Sequence, residues 1–183
     1  GLVNILMMVV ITVFIAGLMV GRTPEFLGKK IEAKEIRLAV VAMLMHPLLI
    51  LAPTAFALVH AVGTSAILNS GFHGISEVIY AYASAAANNG SAFAGLGGNT
   101  PFYNITLGVV IVLGRYLSVA AMLAMAGSLA SKRIVPASAG TLATDSWTFA
   151  FVYLGVVMIV AALTFFPALA LGPIAEQVAM VVH

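Results

Sequence analysis

Ser84-Ala85-Ala86-Ala87-Asn88-Asn89-Gly90-Ser91-Ala92-Phe93, followed by Gly95, Gly97, Gly98 and Asn99, is a polar break in an otherwise apolar chain. Before it, His73 to Ala87 is small and apolar and predicts a helix of about 15 residues, roughly 22 Å at 1.5 Å per residue. The hydrocarbon core of a bilayer is about 30 Å thick, so this helix is too short to cross. A helix that enters a membrane, stops, and turns back through Asn, Gly and Ser presents backbone carbonyls at depth. Lipid cannot satisfy them, so such backbone is buried in protein or lines a watery path. The break therefore reads as a re-entrant loop. A plain turn competes with this reading, because Asn-Gly between alternating apolar residues is a strong hairpin signal. That signal needs strands on both sides, and one side here is helical in composition.

Composition supports the membrane setting. Of 183 residues, 62% are hydrophobic and only 8% are charged, against about 25% charged in soluble domains. Charge-free stretches of about 20 residues place the chain across a lipid bilayer as a multi-pass protein. A net charge of +2, with its basic residues localised, gives no basis for a nucleic-acid partner, and the lack of cysteine excludes disulfides, thiolate metal sites and cysteine nucleophiles. Gly1 already lies in an apolar run without a basic flank. This is expected of a chain that begins partway through a larger protein, not of a signal peptide.

Outward from the break, the chain divides into spans and loops. Gly1 to Val20 is a first span, and its Gly17 and Gly21 have a spacing that permits close helix approach, although this pattern is frequent by chance in apolar helices. Gly21 to Arg37 carries Arg22, Lys29, Lys30, Lys34 and Arg37 among its charges and reads as a cytoplasmic loop. Leu38 to Val62 is a second span, kinked by Pro47 and Pro53. Gly63 to Gly71 is a loop. Phe102 to Ala130 is a third span with Arg115 near its middle, Ser131 to Ser146 is a second loop led by Lys132 and Arg133, and Trp147 to Leu171 is the last span, kinked or ended near Pro167. If both basic loops face the cytoplasm, an even number of crossings separates them. That count holds only if His73 to Ala87 enters and returns on one side.

The loop chemistry suits a cation. The C-terminal end of a helix carries about half a negative charge, and the short helix aims that end at Asn88. Glu77, early in the same helix, complements the opposite end. Gly90 permits backbone angles closed to other residues, which lets consecutive carbonyls face one way. Asn88, Asn89 and Ser91 add oxygens or brace the loop. Carbonyls that replace a hydration shell are the working part of a potassium-type filter. The predicted fold class is an all-α membrane protein with a potassium-channel-like helix, re-entrant pore loop, helix repeat and extra transmembrane helices.

The run Gly63-Thr64-Ser65 to Asn69-Ser70-Gly71-Phe72-His73-Gly74-Ile75-Ser76-Glu77, then Ala86-Ala87-Asn88-Asn89-Gly90-Ser91-Ala92-Phe93, resembles the KdpA family, the potassium-binding subunits of bacterial Kdp P-type potassium-transporting ATPases. Gly21 to Lys30, Ala126-Gly127-Ser128-Leu129 with Lys132, and Phe166 to Pro173 are similar to the same family. The resemblance covers essentially the whole chain. It implies four membrane-pore-membrane repeats in one polypeptide around a single filter. Residues 1–37 would be the last helix of a preceding repeat with a cytoplasmic loop, and 38–130 one complete repeat. Residues 131–183 would be a cytoplasmic loop, the final transmembrane helix and a C-terminal tail. Asn88, Asn89, Gly90 and Ser91 would form one quarter of the filter, with potassium at Asn88, Asn89 and Gly90.

The resemblance also implies partners: the remaining repeats of the same polypeptide, an ATP-hydrolysing P-type subunit, and small accessory membrane subunits in a bacterial inner membrane. The chain has no phosphate-binding loop or phosphorylated aspartate motif of its own, so ATP chemistry is expected in another subunit. A secondary transporter with a broken-helix solute site and a non-transporting scaffold are the alternatives. The first would want a second interrupted segment, and the second leaves the polar loop unexplained.

Arg115 is a costly intramembrane charge, about 2.5–3.5 kcal/mol on insertion scales. It reads either as a positive charge below the filter that discourages straight passage or as half of an interhelical ion pair. His46, His60 and His73 match no metal-ligand spacing. The methionines read as helix packing. Asn104-Ile105-Thr106 fits a glycosylation acceptor that would be idle in a bacterial protein.

Overall fold

Apolar sequence and helix-forming composition produce a predominantly helical chain in the computed structural model, which describes residues 2–69, 71–136, 140–164 and 166–182. The elements are α1 (Leu2–Met19), β1 (Glu25–Phe26), β2 (Lys29–Lys30), α2 (Ala33–Val59), α3 (Ala61–Thr64), α4 (Phe72–Ala86), α5 (Pro101–Ser131), α6 (Trp147–Thr164) and α7 (Phe166–Val182). Among the described residues, α2, α5 and α6 are long and apolar enough to cross a membrane, while α1 and α7 hold shorter apolar stretches. With 15 residues, α4 is about 22 Å long and falls short of the hydrocarbon core. This is the all-α membrane class that composition indicates.

Several local details differ from the sequence reading. The first charged loop contains an antiparallel hairpin pairing Glu25 with Lys30 and Phe26 with Lys29. Its tip is Leu27 (φ 52°) and Gly28 (φ 70°), and Lys34, Glu35 and Arg37 already belong to α2. Gly17 serves the turn into this hairpin: a Cβ there would lie 3.1 Å from the Arg22 carbonyl oxygen and 3.3 Å from Pro24. The Gly63–Gly71 loop opens with part of the short helix α3, and α2 runs through Pro47 and Pro53 without a break. The expected last span, Trp147 to Leu171, takes in α6 and the start of α7.

The chain forms two compact units: residues 1–44 with 118–161, and residues 45–117 with 162–183. In the first, Met7, Val10, Ile11, Val13, Ile31, Ala39, Ala42, Met122 and Met125 form the core, so three of the methionines are packing residues. A charged knot holds its polar end. Glu35 is fully buried and receives Lys132 Nζ at 2.7 Å, Ser128 Oγ at 2.5 Å and the Glu32 backbone N–H at 2.9 Å. Lys132 also donates to Glu32 at 3.0 Å and to the Lys30 carbonyl at 3.0 Å. Burial opposes the charge on Lys132, but its bonds to Glu35 and Glu32 outweigh this and hold its pKa above the ordinary lysine range. Val135 N–H to the Gly28 carbonyl (2.8 Å), Thr23 N–H to the Gly140 carbonyl (3.1 Å) and Lys29 Nζ to the Lys132 carbonyl bind the two charged segments together.

In the second unit, α4 is the centre. Val78, Ile79, Ala81, Tyr82, Ala85 and Ala86 join Ile50, Ala57, Tyr103 and Val110 in one apolar cluster. On α5, Tyr103, Thr106, Val110 and Gly114 recur at helical spacing and face α4. Tyr82 and Thr106 hydroxyls are 2.8 Å apart, Tyr103 donates to the Gly63 carbonyl at 3.1 Å, and a Cβ at Gly114 would lie 2.5 Å from the Ala86 carbonyl oxygen. On α7, Gly172 approaches Phe72 and Ser76, and Glu176 pairs with His73 at 3.4 Å.

Candidate ion-path loop

After Ala86 the chain reverses and returns along the helix it has just left. Asn88 takes φ 59° and Gly90 φ 85°, left-handed angles that Asn tolerates and Gly adopts freely. The reversal is anchored on Ser84, one turn back in α4. The Ser84 carbonyl accepts Asn89 N–H at 2.9 Å, and its Oγ accepts Ser91 N–H at 2.7 Å. Ser91 Oγ lies 3.0 Å from Ser84 Oγ and 2.9 Å from Tyr80 Oη, and Phe93 stacks on Tyr80 with ring centres 4.2 Å apart. Gly95 lies against Glu77, where a Cβ would overlap the carboxylate. Finally Leu68 N–H donates to the Gly95 carbonyl at 2.8 Å, and Gly97 N–H to the Ala66 carbonyl at 2.7 Å. Ser84, Tyr80 and Glu77 are met in that order. The return segment thus travels back to the chain just before α4, and the flanks of Asn-Gly are a helix and an irregular strand, not a hairpin.

The hydrogen-bond pattern is lopsided. N–H groups of Asn89 and Ser91 are directed onto Ser84, while among the described residues no donor reaches the backbone carbonyls of Asn88, Asn89, Gly90, Ser91 or Ala92. Asn89 and Gly90 are exposed, and Asn88 and Ser91 half-buried. Buried or membrane-embedded carbonyls are ordinarily paired, so this run of free acceptors is available to a ligand that takes oxygen donors.

All four loop residues singled out by sequence, Asn88, Asn89, Gly90 and Ser91, fall together at this reversal. Arg115 on α5 reaches the same place: its Nε donates to Asn88 Oδ1 at 2.9 Å, and Asn88 Nδ2 donates to the Ala86 carbonyl at 3.3 Å. Neither sequence reading of Arg115 anticipated this partner. Glu77 is not an exposed charge at the helix start but a buried side chain bonded to Asn69 Nδ2. Sequence reasoning missed Ser84 and Tyr80 as anchors. Their signal was the spacing Glu77, Tyr80, Ser84, one polar stripe on an apolar helix. His60 and His73 have other partners: His60 packs on Phe56 with ring centres 4.1 Å apart, and His73 meets Glu176. Thr106 of the acceptor-like triplet is taken up by Tyr82 and the Phe102 carbonyl.

Three helices long and apolar enough to cross a membrane, with a half-length helix whose chain doubles back, define an all-α membrane protein. The family model for the potassium-transporting ATPase A subunit, KdpA, matches residues 1–178, and the chain belongs to that family. Two curated relatives, each called potassium-transporting ATPase potassium-binding subunit, are 61% identical: one from Alicyclobacillus acidocaldarius over 177 residues, one from Geobacillus kaustophilus over 176. These alignments take in 97% and 96% of this chain but 32% and 31% of the relatives. The chain therefore spans about a third of the length of the curated relatives it matches.

Proposed function

We propose that this chain is part of the potassium-binding and translocating subunit of an ATP-driven potassium uptake pump, and that Asn88, Asn89, Gly90 and Ser91 contribute one quarter of its selectivity filter. The observation that carries the reading is the run of unpaired carbonyls from Asn88 to Ala92, held by N–H groups anchored on Ser84. A dehydrated potassium ion asks for such oxygens. One quarter cannot surround an ion, so the remaining repeats of the polypeptide complete the ring, and ATP is hydrolysed by a separate P-type subunit accompanied by small accessory membrane subunits. Segments 21–37 and 131–146 face the cytoplasm across a bacterial inner membrane. In support, stretches of these two segments are bonded to one another, which requires an even number of crossings between them. α2 and α5 supply two, and α4 enters and returns.

Potassium-dependent uptake by the complete complex tests this. Gly90→Asp forces an L side chain into φ 85°, a strain of about 1–2 kcal/mol, and places a carboxylate in the ion path. The half-saturating potassium concentration is expected to rise roughly tenfold or more. Unaltered uptake at limiting potassium would overturn the assignment of this loop to the ion path.

A further inference from the structure

The loop is tied to α4 at its start by Ser84 and Tyr80; its far end, at Gly95, lies against a buried carboxylate. Glu77 is 1% exposed. One carboxylate oxygen accepts from Asn69 Nδ2, and the other, Oε2, is buried without a hydrogen-bond partner among the described residues. Gly95, whose carbonyl holds Leu68 N–H, lies on the bonded oxygen so closely that a Cβ would overlap both Glu77 and Asn69. The carboxylate thus lies where α4, the segment leading into it and the return segment meet. An acid buried in an apolar cluster with one oxygen unpaired is expensive. Packing alone is met more cheaply by an apolar residue.

We propose that Glu77 is a positioning residue for ion selection: with Asn69 it forms a clamp that sets the height of the return segment, and through it the carbonyls of Asn88 to Ala92. This rests on the reading of that loop as part of the ion path. Glu77 acts from behind, and its clamp fixes the spacing of the oxygens that discriminate between cations of similar size. Glu77→Gln keeps the acceptor for Asn69 and nearly the same volume, whereas Glu77→Val removes the clamp at similar polarity to its surroundings. Asn69→Leu removes it from the other side without touching α4.

The experiment measures potassium- and rubidium-stimulated ATP hydrolysis by the complete complex, normalised to assembled complex. Glu77→Val and Asn69→Leu are each expected to raise half-saturating potassium roughly tenfold, the scale of one unpaired buried polar group. Both should narrow potassium-over-rubidium discrimination and leave maximal turnover within about twofold. Glu77→Gln should restore affinity and discrimination to near the unsubstituted values. Unchanged half-saturation in Asn69→Leu, or a loss confined to maximal turnover or assembly, overturns the clamp; so does Glu77→Gln behaving like Glu77→Val. If Glu77→Val does not assemble, Asn69→Leu decides alone. A Gly90→Asp complex in the same series separates the two claims: a shifted Gly90→Asp with unshifted clamp variants defeats the clamp only, and an unshifted Gly90→Asp defeats the ion-path reading itself.

Discussion

The knot at Glu35 and the loop after Ser84 are two concentrations of polar groups in one apolar chain, and they are finished differently. At Glu35 a buried carboxylate receives an ammonium, a hydroxyl and a backbone N–H. From Asn88 to Ala92, N–H groups are taken up by Ser84, and among the described residues no donor reaches the backbone carbonyls. Both sites lie at places where chain segments distant in sequence meet. The first spends its hydrogen-bonding capacity on itself, as a joint does. The second keeps capacity in reserve, which is what its proposed place in an ion path asks of it.

Breaking the knot is expected to have the larger effect. Lys132→Met leaves Glu35 buried without its cation, at a cost of about 3 kcal/mol or more, and should lower the thermal midpoint and yield of the complete complex while potassium affinity of the surviving complex is unchanged. A shifted affinity with intact stability would reverse the comparison. Ser84→Ala works the other way. It removes the acceptor for Ser91 N–H, a loss of about 1–3 kcal/mol, expected as a several-fold rise in half-saturating potassium with little change in thermal midpoint. The smallest effect is that of pH on the knot. The pKa of Lys132 lies above the ordinary lysine value, so its stabilisation is fully present below that value and is lost only as pH rises through the folded-state value. Thermal stability should show no pH dependence from Lys132 between about pH 6 and 9, where its stabilisation is fully present, and a melting series across that range checks it.

The half-length helix was legible in the chain because length and composition are local. A run of about 15 small residues ending in Asn-Asn-Gly can neither cross a bilayer nor continue as a helix, and α4 ends within a residue of that expectation. Charge counting expects the two charged segments on one side of a membrane, while their hydrogen bonds to each other are a finding of the structure. The hairpin was not legible, because a two-residue ladder leaves almost no periodic trace. The docking of α7 on α4 through Gly172 was not visible, because it depends on a surface about 100 residues away.

What this sequence determined by itself is the class of protein, the reversal at Asn88 to Ser91 and the need for left-handed backbone at Gly90, since each follows from the solvent and torsional preferences of neighbouring residues. Only the tertiary structure decided that Ser84 takes up the loop's N–H groups, that Arg115 reaches Asn88, and that Glu77 is buried between Asn69 and Gly95. The reason is physical. Hydrogen bonds outside the regular helix pattern are chosen by which groups the packing brings within about 3 Å, and no local propensity specifies that choice.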